Sequence, residues 1–139
     1  MAALTAVRDT KRWGGGGKER LHELPMAAST TIHQGALCAL NASGLVVPMS
    51  TATGLKSLGR AEESKVSAGG QNPRIKVSGG VFLYANDGGD PVTAAARGAV
   101  CYATDDQTVS ITATGKSIAG IVEDVVAEGV WVNVGLDNK

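Results

Sequence analysis

The stretch from Gly98 to Gly135, GAVCYATDDQTVSITATGKSIAGIVEDVVAEGVWVNVG, is the part of the chain that decides its fold class. Residues 108–112 alternate polar and apolar side chains at every step, and residues 130–134 repeat that period with three valines. A period of two residues is typical of β-strands with one buried face. Asp105-Asp106 and Glu128-Gly129 interrupt these runs with residues that favour tight turns. The stretch therefore predicts a compact β-sheet module.

Similar β-type runs precede this stretch. A turn signal at residues 41–44 separates the first two runs, and the third contains Gly59, which predicts a bulge or a close backbone approach. Residues 74–77 and 81–84 predict two more strands, one on each side of Gly79-Gly80. The second of these strands is the most hydrophobic, so we expect it at the centre of the core.

Only one segment carries helix signals. It is the alanine-rich run Val92–Arg97, which follows Pro91 and precedes Gly98, the residues that commonly start and end a helix. The predicted fold class is therefore all-β (mainly β). We expect a small β-barrel or sandwich-like domain over residues 31–139, with one short helix and an extended glycine-rich N-terminal arm over residues 1–30.

Length and charge limit the classes of function. The chain has 139 residues, which is one ordinary domain, and its 13 basic and 13 acidic residues give a formal net charge of zero. Nothing in that balance requires a polyanionic partner. One Phe, two Tyr and two Trp supply all the large rings, so the core must consist mainly of Val, Leu and Ile. A thin core and little self-repulsion favour association, and we expect a homo-oligomer.

The residues that usually carry catalysis or bind metals occur singly. Cys101 has no Cys or His partner at the spacing of a zinc site, and only His33 precedes Cys38. We interpret both cysteines as reduced, buried thiols. His22 and His33 lack the helical i, i+4 partner of a metal motif. No Ser/His/acid or Cys/His set can be assembled from them. The predictions are no catalytic residue, no metal, no cofactor and no enzymatic activity.

The N-terminal sequence favours synthesis in a cytoplasm. Residues 1–13 show no long apolar run after the first basic residue, so no export signal is predicted. No run approaches the about 20 apolar residues of a membrane span. We therefore expect no membrane partner.

Residues 1–30 are predicted to be an arm rather than a packed element. Four consecutive glycines, Gly14–Gly17, carry a high entropic cost of ordering, so we expect the arm to be ordered only on a partner. A disordered tail with a flexible spacer remains the alternative. The few basic residues of the arm offer too few phosphate contacts for nucleic acid. The predicted partner-binding residues are Arg8, Lys11, Arg12, Trp13, Leu21 and Leu24, with Trp and Arg as favoured interface anchors.

Four segments resemble ligand or catalytic motifs but fail on context. Gly115-Lys116-Ser117 resembles the end of a P-loop, but it lacks the upstream glycine and the following helix. Residues 86–90 are rich in oxygen ligands, yet they lack the alternation of a calcium loop. The adjacent carboxylates Asp105-Asp106 and Glu123-Asp124 point to opposite faces of a strand, so we expect them in solvated turns and edges.

Several stretches together resemble the small capsid cement, or head decoration, proteins of tailed bacteriophages. The resemblance covers about 100 residues, from Thr31 through Leu136. The stretches that carry it are Gly35-Ala36-Leu37 with Gly44 and Pro48, Gly79–Phe82, Cys101–Val109, Ile118–Val122 and Gly129–Val132. The four-glycine run of the arm has no counterpart in that pattern, so the role of the arm rests on physical argument.

The resemblance implies a structural virion protein, made in the host cytoplasm and located on the outer surface of the capsid. Its partner would be the phage major capsid protein, which it would bind at capsomer junctions as a trimer or, second, as a dimer. We expect deletion of residues 1–24 to leave a folded domain that binds heads poorly. The alternative is a β-rich ligand- or carbohydrate-binding module displayed on a virion. An exposed aromatic cluster around Trp131 would favour the module, and packing of Trp131 against Phe82, Tyr84 or Tyr102 would favour the structural protein.

Overall fold

The chain is mainly β in a computed structural model that describes residues 2–12 and 20–136. One 3-10 helix, Ala94–Ala96, lies within the predicted helical segment. Eleven strands occupy the described residues, namely β1 Arg20–Pro25, β2 Thr31–Ile32, β3 Leu37–Leu40, β4 Val46–Pro48, β5 Lys56–Ala61, β6 Lys65–Val66, β7 Arg74–Asn86, β8 Val100–Ala103, β9 Thr108–Ser110, β10 Ile118–Val126 and β11 Gly129–Val134. The predicted fold class is confirmed.

Five strands close into a barrel. Strand β7 pairs with β11, β11 with β10, β10 with β8, and β8 with β9, and β9 returns to β7. Four of these pairings are antiparallel and the pairing of β7 with β9 is parallel. A closed barrel leaves no unpaired sheet edge around its core, which Phe82, Tyr84 and the valines of β11 fill.

A second core lies beside the first half of β7. Strand β5 pairs with β7, β3 with β5, and β4 with β3, while β1 pairs with β7 as well. A parallel bridge from Met26 to Val46 connects the end of β1 with β4. Met26, Val46, Ile75 and Val77 are fully buried in this second core. The two cores therefore share β7.

Strand β7 runs unbroken through Gly79 and Gly80, where we predicted two separate strands. Its odd-numbered residues Ile75 and Val77 face the second core, and its even-numbered residue Phe82 faces the barrel core. Ladder partners on the two sides of the glycine pair, Arg20 with Gly79 and Val134 with Gly80, keep the backbone extended. The prediction was wrong because glycine here marks the passage between two cores rather than a turn.

Gly59 lies at the predicted bulge. The pairing of β3 with β5 shifts register at this point, and Gly59 has a φ of +145°. A Cβ atom added to it would lie 2.2 Å from the carbonyl oxygen of Ser78. The bulge and the close approach are both confirmed.

Two predictions about polar and reactive side chains have different outcomes. Cys38 and Cys101 are free and buried, as predicted, and burial raises the pKa of the Cys101 thiol to about 12. Asp105 and Asp106, predicted to be solvated, are only 8% and 3% exposed. The prediction was wrong because residues 2–12 cover their turn, and the Leu4 amide donates to Asp106 Oδ1 at 2.8 Å.

Strand β1 lies inside the segment that we expected to be an unpacked arm. All six of its residues pair with β7, and Leu24 packs against the second core. The strand is packed because its backbone completes the β7 ladder and its even-numbered face meets apolar side chains. Trp13 and Gly14–Gly17 lie outside the described residues. No helix within the described ranges is long and apolar enough to cross a membrane.

Candidate interaction surface

Residues 2–12, which we name the N-terminal segment, lie along β7. Arg12 forms an antiparallel bridge with Phe82, and the Leu83 amide donates to the Lys11 carbonyl at 2.8 Å. Further along β7 in the same direction, Arg20 pairs with Gly79. The N-terminal segment and β1 therefore follow one another along the same strand.

The guanidinium groups of the N-terminal segment lie over buried aromatic rings. The Arg8 Cζ atom lies 5.8 Å from the centroid of the Tyr84 ring, and the Arg12 Cζ atom lies 5.0 Å from that of Phe82. Arg60 of β5 approaches the Phe82 ring to 4.5 Å. Such cation–π contacts contribute about 0.5–2 kcal/mol each, more where the cation is desolvated. Two of the residues predicted to anchor a partner thus bind the protein's own barrel.

Thr10 joins these groups in a buried hydrogen-bond network. Its hydroxyl donates to the Gly35 carbonyl at 2.5 Å and accepts from Arg8 Nη1 at 2.9 Å. Its carbonyl accepts from Arg60 Nη1 at 2.7 Å. A Cβ atom on Gly35 would lie 1.9 Å from the Arg8 carbonyl oxygen, so only glycine admits the segment. Sequence reasoning missed both Thr10 and the close backbone approach at Gly35, for which the glycine itself was the available signal.

The turn at residues 105–107 binds the start of the N-terminal segment. Gln107 Nε2 donates to the Ala2 carbonyl at 2.6 Å, and Asp106 accepts from Leu4 as described above. Burial raises the pKa of the Asp106 carboxyl, and the neighbouring Asp105 raises it further, while the Leu4 amide and His33 act in the opposite direction. The segment therefore covers a carboxylate that is less stable when charged than it would be in water.

We expect Asp106→Asn to gain stability relative to the wild-type chain as the pH rises. A carboxyl whose pKa is raised on folding stabilises the folded state below its unfolded pKa, and that contribution is lost as the pH rises through the folded pKa. The variant keeps an oxygen acceptor for the Leu4 amide but has no charge to bury. The measurement is urea unfolding of both proteins at several pH values from about 3.5 to 7.

Asp124→Asn is the matched control, with the opposite sign. The hydrogen bond from Arg97 lowers the pKa of Asp124, as does that from the Val125 amide. The free energy of unfolding of the wild-type chain should therefore rise relative to that of Asp124→Asn as the pH rises. A constant difference between wild type and Asp106→Asn over the whole range would contradict the role given to the Asp106 carboxyl.

A polar cleft of about 300 Å³ separates the N-terminal segment from the end of β5. Burial lowers the pKa of the Arg8 guanidinium, and Glu62 binds Arg60 through contacts of 2.7 and 3.0 Å. No group of three or more potential metal ligands occurs in the described chain. The cleft offers hydrogen-bonding groups without a cysteine, serine or histidine. Its lining residues are Val7, Arg8, Asp9, Thr10, Gln34, Gly35, Arg60, Ala61 and Glu62.

Strand β1 presents part of its backbone away from β7. In β7, the Lys76 amide donates to the Glu63 carboxylate and the Lys76 carbonyl accepts from the Glu62 amide. Both backbone groups of Lys76 therefore point away from Glu23, its partner in β1. Glu23 and Lys76 are thus a pair without ladder hydrogen bonds between them. Such pairs alternate with hydrogen-bonded pairs along an antiparallel ladder, so the amides of Glu23 and Leu21 point away from β7. The Leu21 side chain is 67% exposed. This edge is a template for a further strand.

The six residues predicted to bind a partner separate into three groups. Arg8 and Arg12 contact buried rings, and Leu24 packs against the second core. Lys11 and Leu21 are exposed. Trp13 lies outside the described residues. The candidate interaction surface therefore consists of Lys11, the outward edge of β1 and the side chain of Leu21.

The described aromatic side chains do not form an exposed cluster. Phe82 and Tyr84 are fully buried, whereas Trp131 is half-buried opposite Leu83, on the other face of the sheet. Tyr102 pairs with residue 118 of β10 and Trp131 with residue 124, a separation of about 20 Å along the strand. Among the described residues, Trp131 thus lies on the sheet face opposite to that of Phe82 and Tyr84.

Comparison with known proteins identifies no relative of this chain. No known protein family matches the chain, and neither curated proteins nor solved structures include a significant match to it. The features available for a functional conclusion are the closed barrel, the N-terminal segment that crosses it and the edge of β1.

Proposed function

We propose that this protein is a capsid decoration protein of a tailed bacteriophage. The proposal is supported by the positions, within the fold, of the stretches that resemble the capsid decoration proteins. Cys101–Val109 comprises most of β8, its turn and the start of β9, and Gly129–Val132 forms most of β11. Gly79–Phe82 lies in β7 at the junction of the two cores. Four of the five stretches that resemble the family thus lie in the barrel, and the fifth, Gly35–Leu37 with Gly44 and Pro48, lies around β3 and β4.

The candidate interaction surface supports the proposal physically. Main-chain groups of an exposed strand edge bind an extended segment of another protein, and side-chain contacts set the specificity. Strand β1 offers the outward amides of Leu21 and Glu23, together with the exposed Leu21 side chain. We expect the partner to be the major capsid protein, bound on the exterior of the head at junctions between its subunits.

Selective binding explains how such a protein would stabilise a capsid. A protein that bridges neighbouring subunits binds only the assembled, expanded lattice, and binding stabilises whichever state it prefers. Many copies at many junctions would then oppose the outward pressure of packed DNA. The proposal includes self-association, with a trimer expected before a dimer, synthesis in the host cytoplasm and a final position on the outer surface of the virion.

The proposal is tested by co-sedimentation of the full chain with expanded heads, unexpanded shells and free capsid protein. We expect binding to expanded heads alone. Leu21→Asp should weaken that binding by about 10- to 100-fold, since burying a leucine side chain contributes about 1.5–3 kcal/mol. Val66→Asp is the matched control, because Val66 is 71% exposed and lies in the separate pair of strands β2 and β6.

One result would contradict the decoration role, and another would contradict the proposed binding surface. Absence of binding to every capsid form would exclude a decoration role, and glycan screening would then test the ligand-binding alternative. Equal binding of the wild-type chain and Leu21→Asp to expanded heads would instead remove the edge of β1 from the interface. The Val66→Asp control separates a local effect at β1 from a general effect of the added negative charge.

A further inference from the structure

The outward edge of β1 is open over only part of the strand. Just beyond its end the edge is covered, because Met26 forms a parallel bridge with Val46 and the Ala27 amide donates to the Val46 carbonyl at 3.0 Å. Pro25, the last residue of β1, has no amide hydrogen to donate. The outward donors of β1 are therefore the amides of Leu21 and Glu23.

The outward carbonyl of Glu23 is bound by a side chain of the same molecule. Arg74, the first residue of β7, lies opposite Pro25 in the ladder, so its side chain stands on the same face of the sheet as those of Pro25 and Glu23. Its Nη1 atom donates to the Glu23 carbonyl oxygen at 2.8 Å. Because that oxygen points away from β7, the Arg74 side chain must cross β1 to reach it. The guanidinium therefore lies at the outer edge of β1.

The backbone from which this side chain starts is held on both sides. Lys65 Nζ donates to the Arg74 carbonyl at 2.8 Å, and the Met26 amide donates to the carbonyl of Pro73, the preceding residue, at 2.8 Å. The Arg74 side chain itself is exposed. An exposed arginine thus extends from a fixed backbone across a strand to a main-chain acceptor on its far side.

A second copy of this chain carries the same edge and could pair with it. Two β1 strands that pair antiparallel about a two-fold axis at His22 place Leu21 of one copy opposite Glu23 of the other. This register also keeps the Glu23 side chains of the two copies from facing each other. Half of its main-chain hydrogen bonds would end on a Glu23 carbonyl, which is the group that Arg74 binds.

We propose that Arg74 protects the edge of β1 from pairing with a second copy of this chain. Its guanidinium binds the carbonyl that such a pair requires and fills the space that the second strand would take. Charged side chains and proline at a sheet edge are common means of avoiding edge-to-edge association, and this edge has both, in Arg74 and Pro25. The inference concerns the free protein, and it depends neither on capsid binding nor on association through other surfaces.

Sedimentation velocity of the full-length wild-type and Arg74→Ala chains over a range of concentrations tests the inference. The variant should associate beyond the state of the wild-type chain, with a dissociation constant for that step at least about ten-fold lower, because a hydrogen bond to a charged donor no longer has to break. Amide hydrogen exchange identifies the surface. The Leu21 and Glu23 amides should exchange rapidly in the wild-type chain and become protected as the variant associates.

Two further variants separate edge pairing from other effects. Lys76→Ala is the matched control, because it removes one exposed cation from the same face of β7 and leaves the bond from Arg74 to Glu23 in place, so it should keep the wild-type state. Arg74→Ala/Glu23→Pro removes an outward amide without removing a ladder bond to β7, so it should reverse the association. Circular dichroism identifies which variants are folded.

Three results would each overturn the inference. They are an Arg74→Ala chain in the wild-type state at every concentration, equal association of Lys76→Ala, and association of Arg74→Ala that leaves the Leu21 and Glu23 amides unprotected. The last result needs no proline variant, so the test holds even where Arg74→Ala/Glu23→Pro does not fold.

Discussion

Replacing Gly59 with alanine should lower the free energy of unfolding by about 3–5 kcal/mol, since backbone strain and overpacking each contribute about 1–3 kcal/mol. The added Cβ atom would lie 2.2 Å from the Ser78 carbonyl oxygen and 2.9 Å from the Gly79 nitrogen, both backbone atoms that cannot rotate away. The φ of +145° is also one that alanine rarely adopts. We therefore expect the midpoint of thermal unfolding to fall by about 10–20 °C.

Gly44→Ala is the control that separates strain from collision. Gly44 has a φ of +78°, but no atom lies within 4 Å of the position its Cβ would take. The control should therefore lose only about 1 kcal/mol, the cost of the backbone conformation. Equal losses in the two variants, measured by thermal and urea unfolding, would show that the approach of β5 to β7 is not tight at Gly59.

The features that were predictable from the sequence are local ones. Alternation with a period of two is encoded by neighbouring residues, so β9 and β11 were found where the pattern places them. The role of Gly59 was recognisable because a glycine inside a strand pattern usually marks a bulge or a close backbone approach. The burial of Phe82 and Tyr84 followed from the most hydrophobic run of the chain.

The features that were not predictable depend on contacts between distant residues. Glycines 79 and 80 read locally as a turn, and only their partners in β1 and β11 keep β7 extended. Asp106 reads as a solvated turn residue, and only the amide of Leu4, 102 positions away, buries it. Arg8 and Arg12 carry no local sign that they bind rings of the same chain. Their predicted role in binding a partner stays a prediction, and nothing in the sequence indicated these contacts within the chain.

Removal of residues 1–24 should destabilise the protein by about 6–9 kcal/mol. About 4–6 kcal/mol comes from the ladder hydrogen bonds of β1, at about 1 kcal/mol each, and from burial of a leucine at about 1.5–3 kcal/mol. The contacts of residues 1–12 contribute the other roughly 2–3 kcal/mol. The deletion takes away all of β1 except Pro25, and it leaves one edge of β7 beside Ile75 and Val77 without its partner. This changes the expectation, made from sequence, that such a deletion leaves a folded domain that binds heads poorly. Thermal unfolding followed by circular dichroism is the measurement.

Deletion of residues 1–12 is the matched comparison, because it spares β1. It removes the Thr10 network and the two cation–π contacts, so we expect a loss of about 2–3 kcal/mol and a cooperative transition. A cooperative transition of the longer deletion within a few degrees of the full chain would contradict a structural role for β1. If the longer deletion unfolds as expected, its failure to bind heads would say nothing about the interface. A substitution such as Leu21→Asp, which keeps the β1 backbone in place, is therefore the informative variant.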